Sequence, residues 1–585
     1  MMEVNYTYTA KNFLGAGTSV SVEEGMDPLY NVPHTYEYGS TATLTAGGKA
    51  VRWVDRTYNR FHLLIEEKTT QDLCVKREAT TYYAEDIPFE RQVPQFQMPK
   101  ATKTSWEMDN DSTRYRAEVA SSAFDENGNL IEEVDPRGVR TVHTYYPKEA
   151  SNGCPADPEG FIRSRKDSTI VPSPQGEEGA PTLRTYFRYT ALDPLDGSGL
   201  KQWLVNDSES LVEVQGSEET ALKQTQRTCY DEPKDPFLHG RPLSQSETLN
   251  QKTSTTTYTY SVFNSTLANE NVLEIVETFT GIDHVEDRND MRKIMRQQQS
   301  LLFGLPVLKA DTNGIYTLTV FDALNRVVKE TVSPDSPQFA ASRHYRYYLT
   351  SLDGQQASQE VDDVKGVTTR TRFDGVGRSV YEGRKNTANS LQPDEFRQTY
   401  AAEYDELGNL IRQTTQDWLV DQPLALDNYF EYSSWGDQYR VTGPDGTATV
   451  SDLSPFGNAG PIERTWRESA EDPPQVSQLS QSEFNSFGKP DQVQRFDAER
   501  LNERLLASRG QDDQCSVTPH LNELLASQEL PTAGSVEYLY DGYGNCIQQK
   551  EHMDGLERTT AYEYDVWERM YRTTLADKTC GCATC

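Results

Sequence analysis

From Val367 to Phe373 the chain alternates strictly. Val367, Thr369, Thr371 and Phe373 take one set of positions, and Thr368, Arg370 and Arg372 take the other. A period of two puts the two sets on opposite faces of a pleated strand. Asp374, Gly375, Val376, Gly377 and Arg378 follow, and then a second short strand. An aspartate in that place can accept from the backbone amide two residues on. Gly377 supplies the positive φ of a tight turn. The stretch therefore predicts a β-hairpin.

The hairpin recurs along the chain. Copies begin at Phe124-Asp125 with Gly128 and at Phe321-Asp322 with Asn325 in the glycine place. Others begin at Tyr404-Asp405 with Gly408, at Tyr540-Asp541 with Gly544, and at Tyr564-Asp565 with Glu568. Phe484-Asn485 with Gly488 is a weaker copy. The shared pattern is [YF]-D-x-x-G-[NR], and the closing Asn or Arg opens the return strand. An upstream turn glycine (Gly138, Gly314, Gly366 or Gly555) stands seven residues before Tyr145, Phe321, Phe373 and Tyr562. Every motif position is thus explained by hairpin making, with the aromatic packing on cross-strand neighbours. One hairpin is marginal in water, but hairpins stacked side by side bury a continuous face.

The expected fold is all-β: antiparallel hairpins stacked into a curved, spiral, solenoid-like sheet or partial shell. Residues 1–120 read as a divergent, strand-rich start without a clear copy. Residues 121–496 hold the repeats, and 531–579 hold more of them. Between these, 497–530 repeats "LNE" and "LLAS" with leucines at helical spacing, which predicts an inserted pair of short helices. Residues 285–300 fit either a helix or continued sheet. Stretches 151–180 and 466–482, rich in Pro, Gly and acids, read as loops projecting from the stack. Residues 580–585 read as an unstructured Cys-rich tail.

Composition sharpens this picture. Apolar residues make up 35% of 585, and the mean hydropathy is -0.74. A thick core is therefore under-supplied. The 32 Tyr and 20 Phe point instead to a thin, sheet-rich body whose aromatics carry much of the burial. The formal charge of -33 argues against a nucleic-acid partner and against docking on anionic lipid. No apolar run approaches the ~20 residues that span a bilayer, and no signal-peptide pattern opens the chain. The abrupt start and end suggest a piece of a larger polypeptide.

Candidate chemistry is sparse. The sequence has no nucleophile elbow, P-loop or H-E-x-x-H motif. Cys580, Cys582 and Cys585 offer three thiolates where structural zinc takes four ligands. The acidic loop at 124–129 lacks the terminal bidentate Glu of a helix–loop–helix calcium site. With 90 acidic residues, no pair can be nominated for glycoside hydrolysis. No catalytic residue, metal or cofactor is therefore expected.

The recurring motif with its upstream glycine resembles the YD repeats of the RHS family. The match is best at 373–378, 404–409 and 540–545, and the resemblance covers roughly 120–575. It implies the shell-forming region shared by bacterial RHS proteins and the B/C components of Tc insecticidal toxin complexes, which winds hairpins into a hollow wall around a C-terminal toxin. The family's self-cleaving aspartyl centre lies near a D-P-x-G signature at the end of the repeats. Here Asp135-Pro136-Arg137-Gly138 is an internal turn, so no catalytic role carries over. The implied function is a non-enzymatic wall segment that encloses a payload. Its implied partners are the rest of the shell, the toxin domain and other complex subunits. The implied location is the bacterial cytoplasm before export, then the cell surface or beyond. The alternative is a surface module that binds carbohydrate through exposed aromatics.

Overall fold

Strand alternation carries through almost the whole chain. The structure, a computed structural model, describes residues 2–9, 29, 32, 36–281, 292–350, 354–386, 395–419, 422–472, 474–497, 502, 532–553, 555–575 and 580–582. They form one 37-stranded sheet, numbered β1 (Met2–Tyr8) to β37 (Cys580–Cys582). Each strand pairs antiparallel with the next in sequence, from β1 on β2 (Glu37–Ala46) to β36 (Met570–Thr574) on β37. The fold is an open meander, all-β as the alternation requires.

Three expectations change. The stretch 151–180 contains β10 (Arg165–Val171), and 466–482 is shared between β30 (Ile462–Glu468) and β31 (Val476–Phe484). Trp466, Val476 and Leu479 are buried in β30 and β31, but the acids and prolines between them hide the alternation that marks a strand in sequence. At the tail, Cys580–Cys582 is not unstructured: it pairs with Arg572–Thr574 of β36, because an open sheet edge offers free backbone partners. In 285–300, Arg292–Ser300 continues the sheet as β17. The helical pair expected at 497–530 lies outside the described residues, apart from Asp497 and Asn502. Asn502 donates to the Val476 carbonyl and accepts from the Val476 amide, both at 2.8 Å.

The body is thin. Its largest fully buried side chains are Trp466, Leu479, Val75, Val272, Val450 and Val476. Among the described residues few side chains are fully buried, and long strands such as β4 (Leu64–Gln71) and β15 (Lys252–Ser265) have none or one buried position, so much of both sheet faces meets solvent.

The strip also winds. At each copy of the motif the ladder slips by one residue beside the aromatic, as between Arg372 and Phe373, Glu403 and Tyr404, and Leu539 and Tyr540. Val380, Ile411 and Ile547 are the extra residues on the return strands. Bulges bend a strand and increase its right-handed twist. Set at the same end of successive hairpins, they curl the strip in one direction. The curl brings the turn after β4 (Leu64–Gln71) against the turn after β27 (Gln422–Tyr432), where the Ser434 hydroxyl donates to Asp72 Oδ2 at 2.5 Å. It brings the segment after β10 against the turn after β33 (Thr532–Tyr540), where Ser173 N donates to the Gly542 carbonyl at 2.8 Å. Both contacts step forward by 23 strands. At ~4.8 Å per strand, one circuit is about 110 Å round and, if circular, about 35 Å across.

Candidate functional site

The motif makes the turn by clamping it from both carboxylate oxygens. Asp374 Oδ1 accepts from Val376 N at 3.0 Å and from Arg378 N at 2.9 Å, and its Oδ2 accepts from Arg378 Nε at 2.7 Å. Asp125, Asp322, Asp541 and Asp565 are bonded in the same way. At Asp405 the described bonds come from Asn409. The last motif residue is Asn or Arg because its side chain reaches Oδ2, as Asn129 and Asn545 do at 3.1 and 3.0 Å. Partial burial works against ionisation of Asp374. The Arg378 amide and guanidinium and the Val376 amide outweigh it, and hold the carboxyl below its ordinary value. Gly128, Gly377, Gly408 and Gly544 have φ between 78° and 94°; Asn325 and Glu568 adopt 59° and 60° in the same place.

The aromatics link one hairpin to the next. Tyr404 donates through its hydroxyl to the Ser379 carbonyl at 3.1 Å, and Tyr540 to Pro490 at 2.6 Å. Tyr145, Tyr347 and Tyr432 do the same to Leu130, Val327 and Leu410. In each case the acceptor is the residue immediately after the preceding motif. The Arg378 guanidinium lies 4.2 Å from the Tyr404 ring centroid, so the clamped arginine of one unit covers the tyrosine of the next.

The wound strip meets itself along a seam. Motif turns follow odd-numbered strands and the opposite row of turns follows even-numbered ones, and the seam joins one row to the other. Glu177 N donates to the Tyr540 carbonyl at 2.8 Å, making a parallel bridge between Glu177 and Asp541. Tyr543 donates to the Pro181 carbonyl at 2.7 Å, and burial pushes its phenol up to about 12. Ser486 Oγ donates to Gln175 Oε1 at 2.7 Å. Backbones touch here: a Cβ on Gly176 would overlap the Asp541 carbonyl, and one on Gly542 would sit 2.6 Å from Pro172 Cβ. Tyr540 and Asp541 are buried. Further along, the Arg114 guanidinium lies over the Phe456 ring at 5.5 Å.

The expected site residues thus lie in a row rather than in a pocket. Phe124, Phe321, Phe373, Tyr404, Tyr540 and Tyr564 each end an odd-numbered strand, with Asp125, Asp322, Asp374, Asp405, Asp541 and Asp565 opening the turn that follows. Among these, the 540–545 turn lies on the seam. The Asp135-Pro136-Arg137-Gly138 turn has the same clamp, with Asp135 Oδ1 accepting from Arg137 N and Val139 N at 3.0 Å each. Sequence reading missed two copies: Tyr432 and Ser433, with Gly436 at φ 93° and Ser433 Oγ accepting from Trp435 N and Asp437 N at 3.2 and 3.3 Å, and Tyr58 and Asn59, with His62 at φ 61° in the glycine place. Asn59 Oδ1 accepts from Phe61 N and Leu63 N at 2.9 and 3.1 Å. It also missed what marks the seam, the two variable positions. Ser434-Trp435, Ser486-Phe487 and Gly542-Tyr543 each place a small residue before an aromatic, and each turn touches the earlier winding or its neighbour at the seam.

No family model matches the chain, and no curated protein is significantly similar to it. Among solved structures it is similar to a Photorhabdus luminescens Tc holotoxin pore, at 10% identity over 93% of this chain and 27% of that one, with a TM-score of 0.37. It is also similar to TcdB2-TccC3, at 10% identity over 95% and 33%, with a TM-score of 0.35. A third is TcdB2-TccC3-Cdc42, at 11% identity over 96% and 33%, with a TM-score of 0.32. The chain spans about a third of the length of these structures. No helix among the described residues is long and apolar enough to cross a membrane.

Proposed function

We propose that the chain is a structural, non-catalytic wall segment of an RHS/Tc-type shell, and that its job is to enclose a polypeptide payload. The observation that carries this reading is the winding. The strip returns on itself after 23 strands, joined by the Tyr540–Glu177 and Gly542–Ser173 backbone bonds, while few of its described side chains are fully buried. A thin sheet that closes on itself separates an inside from an outside. Its side chains serve turns, staples and the seam. The payload would be the C-terminal toxin domain of the family, in company with the remaining shell and other complex subunits, leaving the cell by a secreted route.

Electron cryo-microscopy of the purified chain tests this. The expected image is a curved wall around a low-density interior roughly 35 Å across at the backbone. A solid particle of the same mass overturns the proposal.

A further inference from the structure

The register of β3 (Lys49–Asn59) through β7 (Asp111–Phe124) lines up cations on one face. Lys76 stands opposite Trp106, and Trp106 opposite Arg116. Beside them Arg52 donates through Nε and Nη2 to Gln71 Oε1 at 2.9 and 2.7 Å. Turns of the later winding lie over this row. Together they border a half-open cavity of about 510 Å³, lined among others by Arg52, Lys76, Trp106, Arg116, Trp435 and Asp437.

The charge balance there is reversed relative to the chain. Three cations face one lining carboxylate, Asp437, in a protein with a formal charge of -33. Asp72, at the rim, receives the Ser434 hydroxyl, and Arg114 adds a further cation over Phe456. The guanidinium of Arg52 is bonded to a neutral amide. Arg116 is the informative group. It stacks 4.2 Å from the Trp106 ring and bonds Glu118 through Nη1 at 2.5 Å. Its side chain is 10% exposed, and its buried Nε has no acceptor. That donor is closed off from the cavity, so the Glu118 pair leaves the charge only partly compensated, and Arg52, Lys76 and Arg116 together supply the lining cations.

We propose that this seam cavity binds a small polyvalent oxyanion, of the phosphate or polycarboxylate class, through Arg52, Lys76 and Arg116. Guanidinium forks match both kinds of oxygen pair. The volume falls within the ~300–1,000 Å³ of ordinary ligand pockets. One wall belongs to the earlier winding and the lid to the later one, so the occupant ties the two together and stabilises the seam by linkage. This site requires the winding alone and is independent of what the shell contains.

The test is calorimetric titration of the whole chain with pyrophosphate and, separately, with citrate, at low salt. The expected result is saturable one-site binding of at least one of them, with a dissociation constant below about 1 mM. Binding should weaken several-fold at ~0.3 M NaCl, where charges are screened within a few ångströms. Arg116→Gln should weaken it about ten-fold or more, the loss of one charge-assisted contact. Lys76→Gln leaves the Trp106 stack and the Glu118 pair in place and should weaken binding as well. Pyrophosphate alone assigns the phosphate class, and citrate alone the polycarboxylate class. If neither binds, or if both variants bind like the parent, the proposal is overturned.

Discussion

The turns at 373–378 and 540–545 share a clamp and differ in what they touch. Each has an aspartate that accepts from two backbone amides and one side chain. In the first, the variable residues Gly375 and Val376 face open space, with Val376 74% exposed. In the second, Gly542 and Tyr543 hold the earlier winding through Ser173, Pro181 and Ile170. The motif letters therefore make a turn, and the two letters between them decide whether that turn joins windings.

The largest test of this contrast is to add a side chain at each place. Gly542→Val or Gly176→Val should cost on the order of 3 kcal/mol, because backbone stands where the new atoms must go. Hydrogen exchange at the Ser173 and Glu177 amides would then rise sharply. Gly375→Val meets nothing within 4 Å and should stay within about 0.5 kcal/mol. Equal effects at both turns would remove the distinction.

Removing the clamp comes next. Asp374→Ala leaves two turn amides without their acceptor and should cost about 1–3 kcal/mol in denaturant melts. Asp541→Ala should cost more, since Asp541 is 6% exposed and water cannot take its place. Asn should rescue part of either loss, because Asn59 and Asn485 already make the same bonds. A smaller change is Tyr543→Phe. Losing the bond to Pro181 should cost about 1 kcal/mol and loosen the Ser173 amide, whereas Val376→Ala should leave exchange unaltered.

Acid gives the mildest perturbation per turn. Asp125, Asp322, Asp374 and Asp565 are held below the ordinary 3.8. Groups depressed in the folded state contribute fully above that value and lose their contribution as pH falls below it. The turns' contribution to stability, read by fluorescence as the difference between the parent and Asp374→Asn, should thus be level from pH 7 to 5 and decline below 3.8, whereas His143, held below its ordinary 6.5 by burial, weakens the parent and the variant alike near pH 6. A decline beginning near pH 6 would point away from the turns.

The hairpins were legible in the sequence because each has a local cause: alternation, an acceptor side chain and a residue tolerant of positive φ. Where those causes change their letters, legibility fails. Tyr58, Asn59 and His62 build the same turn without aspartate or glycine. The strand Arg165–Val171 was hidden because it sits among prolines and charges. The seam was illegible for a different reason. Nothing near Gly176 in sequence announces Asp541, and their meeting depends on curvature summed over 23 strands. The small–aromatic pairs at 434–435, 486–487 and 542–543 become a signal only once the circuit length is known.

That circuit length has an arithmetic of its own. An antiparallel ribbon reverses direction at every strand, so only an odd step sets the two rims of turns against each other. Loss of a lone strand would bring like rims together and misfit every later junction. Gain or loss of a whole hairpin keeps the parity and alters the girth by about 10 Å. Variation in the girth of such a wound strip should come in those increments, each changing its diameter by about 3 Å.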